Sequence, residues 1–341
     1  MKLLTTMMSA GAAAAMALSV AIPARADEKV VFAQSGDVIL WAPLYIARER
    51  GYLADEGIDA EAITVKGGPA TLAAVEAGNA QIALGFPATP ITAFTKGIGV
   101  TLFGSLSTEY VASLVVQGDV AKDLGITQDM SVKDKIGKLK GHSIATNAAG
   151  SAADYLLQNL VRYAGMQPDR DMTITPVGDT SAVLAAFERK RIDGFMATPP
   201  SDRLAMDNFG AVKLIDFTRG EYEGVAGIQY VAMSASTDWL ATHGDTAAAV
   251  LRAMDKALAL IHDNPEEAKA SVRTFFKDMD DTIFEAGWDG TVGSFPANAK
   301  IREDSIVKIL NFMELMSGAK VDVNMADIYT NQYYEMSLSG Q

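Results

Sequence analysis

Residues 77–90, AGNAQIALGFPATP, and residues 188–201, ERKRIDGFMATPPS, follow one design: a helix end, a short apolar strand, then a Thr/Pro loop. A short buried strand that follows a helix and stops at a turn signal is the repeating unit of a parallel sheet. Its recurrence predicts two α/β lobes.

Working outward from the first copy, residues 30–33 read as an opening strand, followed by the polar loop Gln34-Ser35-Gly36-Asp37 and a helix over 42–50 closed by Gly51. Residues 63–65 read as a second strand, after which Gly67-Gly68-Pro69 opens a helix that Gly78 ends. Proline suits a first helical turn and glycine a helix stop. Around the second copy, 143–146 reads as a strand and 147–151 as a glycine-containing loop. The next helix carries Leu157, Leu160, Val161 and Ala164 on one face and stops at Gly165. A strand over 172–176, a helix over 180–190 and a strand over 192–197 complete the cycle.

The extended runs 111–117 and 229–233 stand where the chain would cross between lobes and return. The C-terminal third is helical, with Asp245 placed to cap a helix bearing Val250, Met254, Ala257, Leu258 and Ile261, and Asn264-Pro265 starting the next. The expected division is a first lobe of residues 27–116 plus 232–341 and a second of 117–231. The fold class is thus α/β, with two mainly parallel sheets flanked by helices and two hinge crossings.

Composition narrows the function. Of 341 residues, 42 are acidic and 29 basic, for a net charge of -13. That balance argues against nucleic-acid binding, which draws on clustered Lys and Arg. With no cysteine and three histidines, thiolate metal sites, disulfides and cysteine nucleophiles are excluded. Residues 1–26 read as a cleavable leader: Lys2, an alanine-rich apolar stretch over 7–22, and small residues at Ala24-Arg25-Ala26. Cleavage after Ala26 would deliver the chain to the periplasm.

Three segments taken in order resemble periplasmic solute-binding proteins of ABC importers, in the nitrate/sulfonate/taurine and thiamine-precursor (NMT1/THI5-like) group. They are Ala42-Pro43-Leu44-Tyr45-Ile46-Ala47-Arg48-Glu49-Arg50-Gly51-Tyr52-Leu53 with Glu56-Gly57-Ile58-Asp59; Leu139-Lys140-Gly141-His142-Ser143-Ile144-Ala145 with Gly150-Ser151; and Arg191-Ile192-Asp193-Gly194-Phe195-Met196 with Pro199-Pro200. The resemblance implies two lobes that close by hinge bending on a small molecule. It also implies a permease and its ATPase subunits in the inner membrane as partners. No catalysis, cofactor or metal is expected, and a monomer is.

Ligands of open α/β sheets sit beyond the carboxyl ends of strands and between domains. The candidate ligand-binding residues on the corresponding loops are Ser35, Trp41, Gly68, Phe86, Thr89 and Tyr110, then Asn147, Gly150, Ser151, Thr198, Asp202 and Tyr230. Gly150-Ser151 at a helix start offers unpaired N–H groups and the positive end of a dipole to a polar or anionic group. The same run, Ser151-Ala152-Ala153-Asp154, also reads as a capping box. Trp41, Phe86, Tyr110 and Tyr230 could stack on a flat ligand. Asp37, Glu109, Asp154, Asp179 and Asp202 outnumber the cationic candidates Lys66 and Arg203. The expected ligand is therefore neutral or singly negative, its polar end near Ser151 and its flat part against Trp41.

Other readings compete. Gly141-His142-Ser143-Ile144-Ala145 approximates a nucleophile elbow, with His243 or His262 as base for an esterase-like hydrolase. However, Ser143 falls inside a strand, and the next helix begins only near Ser151. A thiamine-precursor pyrimidine or an aromatic acid is an alternative ligand. The group's pyrimidine binders show an Asp-Trp-x-Pro-Asn run, of which Leu40-Trp41-Ala42-Pro43-Leu44 keeps Trp and Pro. The eukaryotic pyrimidine-precursor synthase of this fold would need Cys- and His-rich iron chemistry that this composition does not offer.

Overall fold

The computed structural model describes residues 28–339, so the expected leader lies outside the described residues. Among the described residues ten strands form two five-stranded sheets: β1 (Glu28–Ser35), β2 (Ile58–Val65), β3 (Ile82–Gly85), β4 (Val100–Ser107), β5 (Ser113–Val116), β6 (Ser143–Thr146), β7 (Thr173–Pro176), β8 (Gly194–Ala197), β9 (Val212–Asp216) and β10 (Val231–Ser236). The orders are β2-β1-β3-β10-β4 and β7-β6-β8-β5-β9. The second repeats the layout of the first. In each, one strand runs against the rest: β10 is antiparallel to β3 and β4, and β5 to β8 and β9.

The reversed strands follow from the crossings. The chain leaves the first sheet at the carboxyl end of β4 and enters the second beside the carboxyl end of β8, where Ser113 pairs with Ala197. A strand that begins at that edge must run antiparallel to its neighbours. The return from β9 to β10 repeats the manoeuvre, with Val231 opposite Ser107 at the carboxyl end of β4.

This corrects the expected boundary. Ser113–Val116, assigned to the first lobe, belongs to the second sheet, because the connection between β4 and β5 is only residues 108–112, and of the apolar run at 111–117 only Val111 and Ala112 lie in it. The first edge strand also begins earlier than expected. Parallel pairing with β1 holds from Glu28 opposite Ile58 to Ser35 opposite Val65, and the polar alternation of Asp59 and Glu61 had masked it.

β4, β5 and β8 are buried along their whole length. β5 and β8 are interior strands covered on both faces, while β4 is an edge strand whose free side is covered by the C-terminal segment, where Leu102 bridges to Tyr329. The Gly244–Asp263 helix buries Val250, Met254, Ala257, Leu258 and Ile261 against the Ala42–Glu49 helix. His243, not Asp245, occupies its N-cap. Asp245 lies in the first turn, where a carboxylate favours the dipole. The C-terminal third reaches across to the second lobe: a Cβ built on Gly287 would stand 3.2 Å from Pro200, and one on Gly290 3.3 Å from Pro199. Thus the two lobes meet along a C-terminal clasp as well as through the two crossings.

Candidate ligand cleft

A cleft of about 960 Å³, open mouth included, lies between the carboxyl ends of the two sheets. The first lobe contributes Ser35, Trp41, Gly68 and Phe86, the second Asn147, Ser151 and Thr198, and the return crossing Tyr230. These eight expected residues converge because seven of them lie where a strand of the sheet closes or the following helix opens, and Tyr230 directly precedes the antiparallel strand β10, which starts at that same end. Trp41 is held in place by its indole N–H, which donates to the Gly36 carbonyl at 3.0 Å. Gly67, at φ +82°, lets the loop before the Gly68–Glu76 helix approach the other lobe. A Cβ there would come within 2.6 Å of the Ala148 Cβ.

Four expected residues stand outside the lining. Thr89 and Gly150 meet each other across the cleft edge, the Thr89 hydroxyl donating to the Gly150 carbonyl at 3.4 Å. Tyr110 is buried behind the wall, and its hydroxyl donates to the Ala152 carbonyl at 2.5 Å. Asp202 is turned away by the Ser201–Phe209 helix and is buried in an ion pair with Lys213 at 2.8 Å. Tyr110 lies in the segment between β4 and β5, whereas Asp202, expected on a loop, falls in the first turn of the Ser201–Phe209 helix; both side chains are buried in the protein.

The start of the Ala152–Tyr163 helix is capped as the sequence indicated, with one shift. Ser151 Oγ accepts from the Asp154 N–H at 3.3 Å, while the Asp154 carboxylate reaches back to the Gly150 N–H at 2.8 Å rather than to Ser151. Burial raises the Asp154 carboxyl above the ordinary aspartate value, opposed by the Gly150 amide and by Gln158. Ser151, Ala152 and Ala153 face the cleft, so the first-turn amides of Ala152 and Ala153 are available to a ligand. Burial likewise drives the Tyr230 phenol upward, keeping it neutral.

The charged residues expected near the cleft are engaged, and of them only Lys66 and Asp179 line it. Lys66 lies 3.7 Å from Asp179 across the mouth, and Asp179 caps the Thr180–Glu188 helix. Arg203 pairs with Asp207, Asp37 accepts from Gln34 and Thr64, and Glu109 accepts from the Gly227 N–H. Sequence reasoning missed much of the apolar wall, namely Leu40, Val65, Val183, Phe195 and Met196. The last two sit in β8, where a side chain at a strand's cleft end has the same sequence appearance as core.

The hydrolase arrangement does not form. Ser143 lies in β6 with its hydroxyl 3.0 Å from that of Thr175. His243 stacks on Trp239, and His262 lies against the Pro296 carbonyl, both in C-terminal segments apart from Ser143. Among the described residues no group of three or more His, Cys, Asp or Glu is placed to hold a metal ion.

Comparisons with known proteins agree with this architecture. A structure from Bordetella bronchiseptica RB50 superposes with a TM-score of 0.79 at 21% identity, covering 93% of this chain and 98% of that one. The alkanesulfonate-binding protein SsuA from Xanthomonas axonopodis pv. citri, bound to MOPS, gives 0.70 at 16% identity over 90% of this chain and 99% of that one. Among curated proteins, 4-amino-5-hydroxymethyl-2-methylpyrimidine phosphate synthase of Aspergillus parasiticus is 26% identical over 320 residues, 87% of this chain and 84% of that protein. The two-lobed fold is that of periplasmic binding proteins. The family profile described as NMT1/THI5 like matches residues 40–268, and the chain belongs to the NMT1/THI5-like family.

Proposed function

We propose that this protein is the substrate-binding component of an ABC importer. It takes one small, neutral or singly negative molecule between its lobes, closes on it by hinge bending, and delivers it to a permease with its ATPase subunits. The observation that carries this reading is the composition of the cleft wall: Trp41 and Phe86 come from one lobe, Phe195 and Ser151 from the other. A molecule touching both walls makes contacts that exist only when the lobes are together, and that difference is what shifts the open–closed balance. Export through the leader and residence in the periplasm accompany this role. The cleft residues bind and orient the ligand and perform no chemistry on it.

In this reading the polar end of the ligand meets the Ala152 and Ala153 amides and the Ser151 hydroxyl, and its flat or apolar part lies along Trp41. Sulfonate-, taurine- or nitrate-like monoanions and neutral molecules fit these terms. A thiamine-precursor pyrimidine is a second reading, favoured by the family and by the synthase relative. Titration calorimetry with alkanesulfonates, taurine, nitrate, aromatic monocarboxylates and a pyrimidine amine tests the proposal. One of these is expected to bind with one-to-one stoichiometry and to emerge chemically unchanged. Tight binding of a dianion, or turnover of the bound compound, would contradict it.

A further inference from the structure

The start of the Ala152–Tyr163 helix supplies the cleft with N–H donors at the positive end of a helix dipole, an arrangement that ordinarily favours a negative group. In this protein the chain's own carboxylate already sits there. Asp154 is buried, with its Oδ2 2.8 Å from the Gly150 N–H and 3.0 Å from Gln158 Nε2. Both donors support the charged form of the carboxylate. No cation compensates on the ligand's side: Lys66, the one cationic side chain on the cleft wall among the described residues, is 81% exposed and faces Asp179. An anionic head at Ala152 and Ala153 would therefore lie within a helical turn of one carboxylate and share the cleft with a second. An uncharged acceptor, such as an amide carbonyl or a ring nitrogen, could use the same amides without that repulsion.

We infer that Asp154 sets the charge preference of the cleft and selects an uncharged, flat ligand over its anionic isostere. The inference rests on the ligand-binding reading and narrows its substrate class. Asp154 acts through the field at the helix start, while Trp41, Phe86 and Phe195 supply the walls for the ring.

The test uses matched probes that differ in charge and little in shape: benzamide and benzoate, nicotinamide and nicotinate, benzenesulfonamide and benzenesulfonate. Dissociation constants are measured by calorimetry for wild type and for Asp154→Asn, which keeps an acceptor oxygen for Gly150. In wild type the neutral member of a binding pair should be tighter by about tenfold or more, the effect of a like charge a few ångströms away at an intermediate effective dielectric. Asp154→Asn should narrow that ratio by about tenfold. Equal or tighter binding of the anionic members to wild type overturns the inference and leaves the ligand-binding reading standing. So does an unchanged ratio in a folded Asp154→Asn protein. If that variant does not fold, the wild-type ratios decide alone. Failure of every probe to bind would overturn the inference of a flat, uncharged ligand, while the ligand-binding reading would still be decided by the titrations with alkanesulfonates, taurine, nitrate and a pyrimidine amine.

Discussion

Tyr110 and Tyr230 pack ring against ring with centroids 4.3 Å apart, one from each of the two segments that join the lobes. The Tyr230 hydroxyl also donates to the Val111 carbonyl at 3.3 Å, so the outgoing and returning chains are tied at one level. Phe86 of the cleft wall lies edge-on to Tyr110 at 6.0 Å. The Tyr110 hydroxyl, in turn, reaches the first turn of the Ala152–Tyr163 helix. The two crossings, the cleft wall and the second lobe thus share one aromatic cluster, which would be the pivot of the proposed hinge bending.

Replacing Tyr110 by Phe keeps that packing and removes one donor from a buried carbonyl. Loss of a typical internal hydrogen bond predicts about 1 kcal/mol of destabilisation, and Tyr110→Ala, which opens a cavity, about 3 to 5 kcal/mol. Urea denaturation followed by circular dichroism checks both values. Equal costs for the two variants would show that the ring contributes no packing.

Gly67→Ala should act on closure. The new methyl group meets Ala148 of the opposite lobe, and the left-handed backbone at Gly67 disfavours any side chain. Ligand affinity should fall by about tenfold or more, at a cost of about 1 to 2 kcal/mol in stability. Calorimetry and thermal unfolding measured together separate the two effects. Wild-type affinity in this variant would mean that the lobes do not approach each other here when ligand is bound.

Asp202→Asn and Trp41→Ala should divide stability from binding. Asp202 is buried, pairs with Lys213 at 2.8 Å and accepts from the Ser113 hydroxyl, while Lys213 keeps Asp216 at 3.3 Å as a second partner, so Asp202→Asn should cost about 1 to 2 kcal/mol through the weakened charge-assisted bonds. Its removal should leave affinity unaltered. Trp41→Ala should weaken an organic ligand by about 1 kcal/mol or more through lost ring contact. Loss of affinity in Asp202→Asn without loss of stability would return that residue to the cleft.

Export is checked by intact-mass spectrometry of the protein recovered from the periplasm of its host, which should begin at Asp27. A full-length, membrane-retained chain would contradict the leader reading of residues 1–26.

The sequence was most legible where local chemistry dictates backbone. Gly67-Gly68-Pro69 and Ser151 to Asp154 opened helices as expected, and the two Thr/Pro loops marked the carboxyl ends of β3 and β8. Legibility fell where the decisive partner is remote. Nothing near Asp202 announces Lys213 on β9, and nothing near Tyr110 announces the Ala152 carbonyl. Phe195 resembled core because it is core on one side, packed edge-on to Phe187 at 5.1 Å, while also contributing to the cleft. The boundary at Ser113 was missed for a related reason: one apolar run serves first as crossing and then as strand, and only pairing with β8 and β9 separates the two.

The central claim is that a small molecule draws the two lobes together, and small-angle X-ray scattering tests it most directly. The protein is stripped of ligand by unfolding, dialysis and refolding, then measured alone and with the low-mass fraction of its host's periplasm. The account predicts a smaller radius of gyration when that fraction is present, with the contraction weakened in Trp41→Ala. Superimposable profiles with and without it would contradict the account.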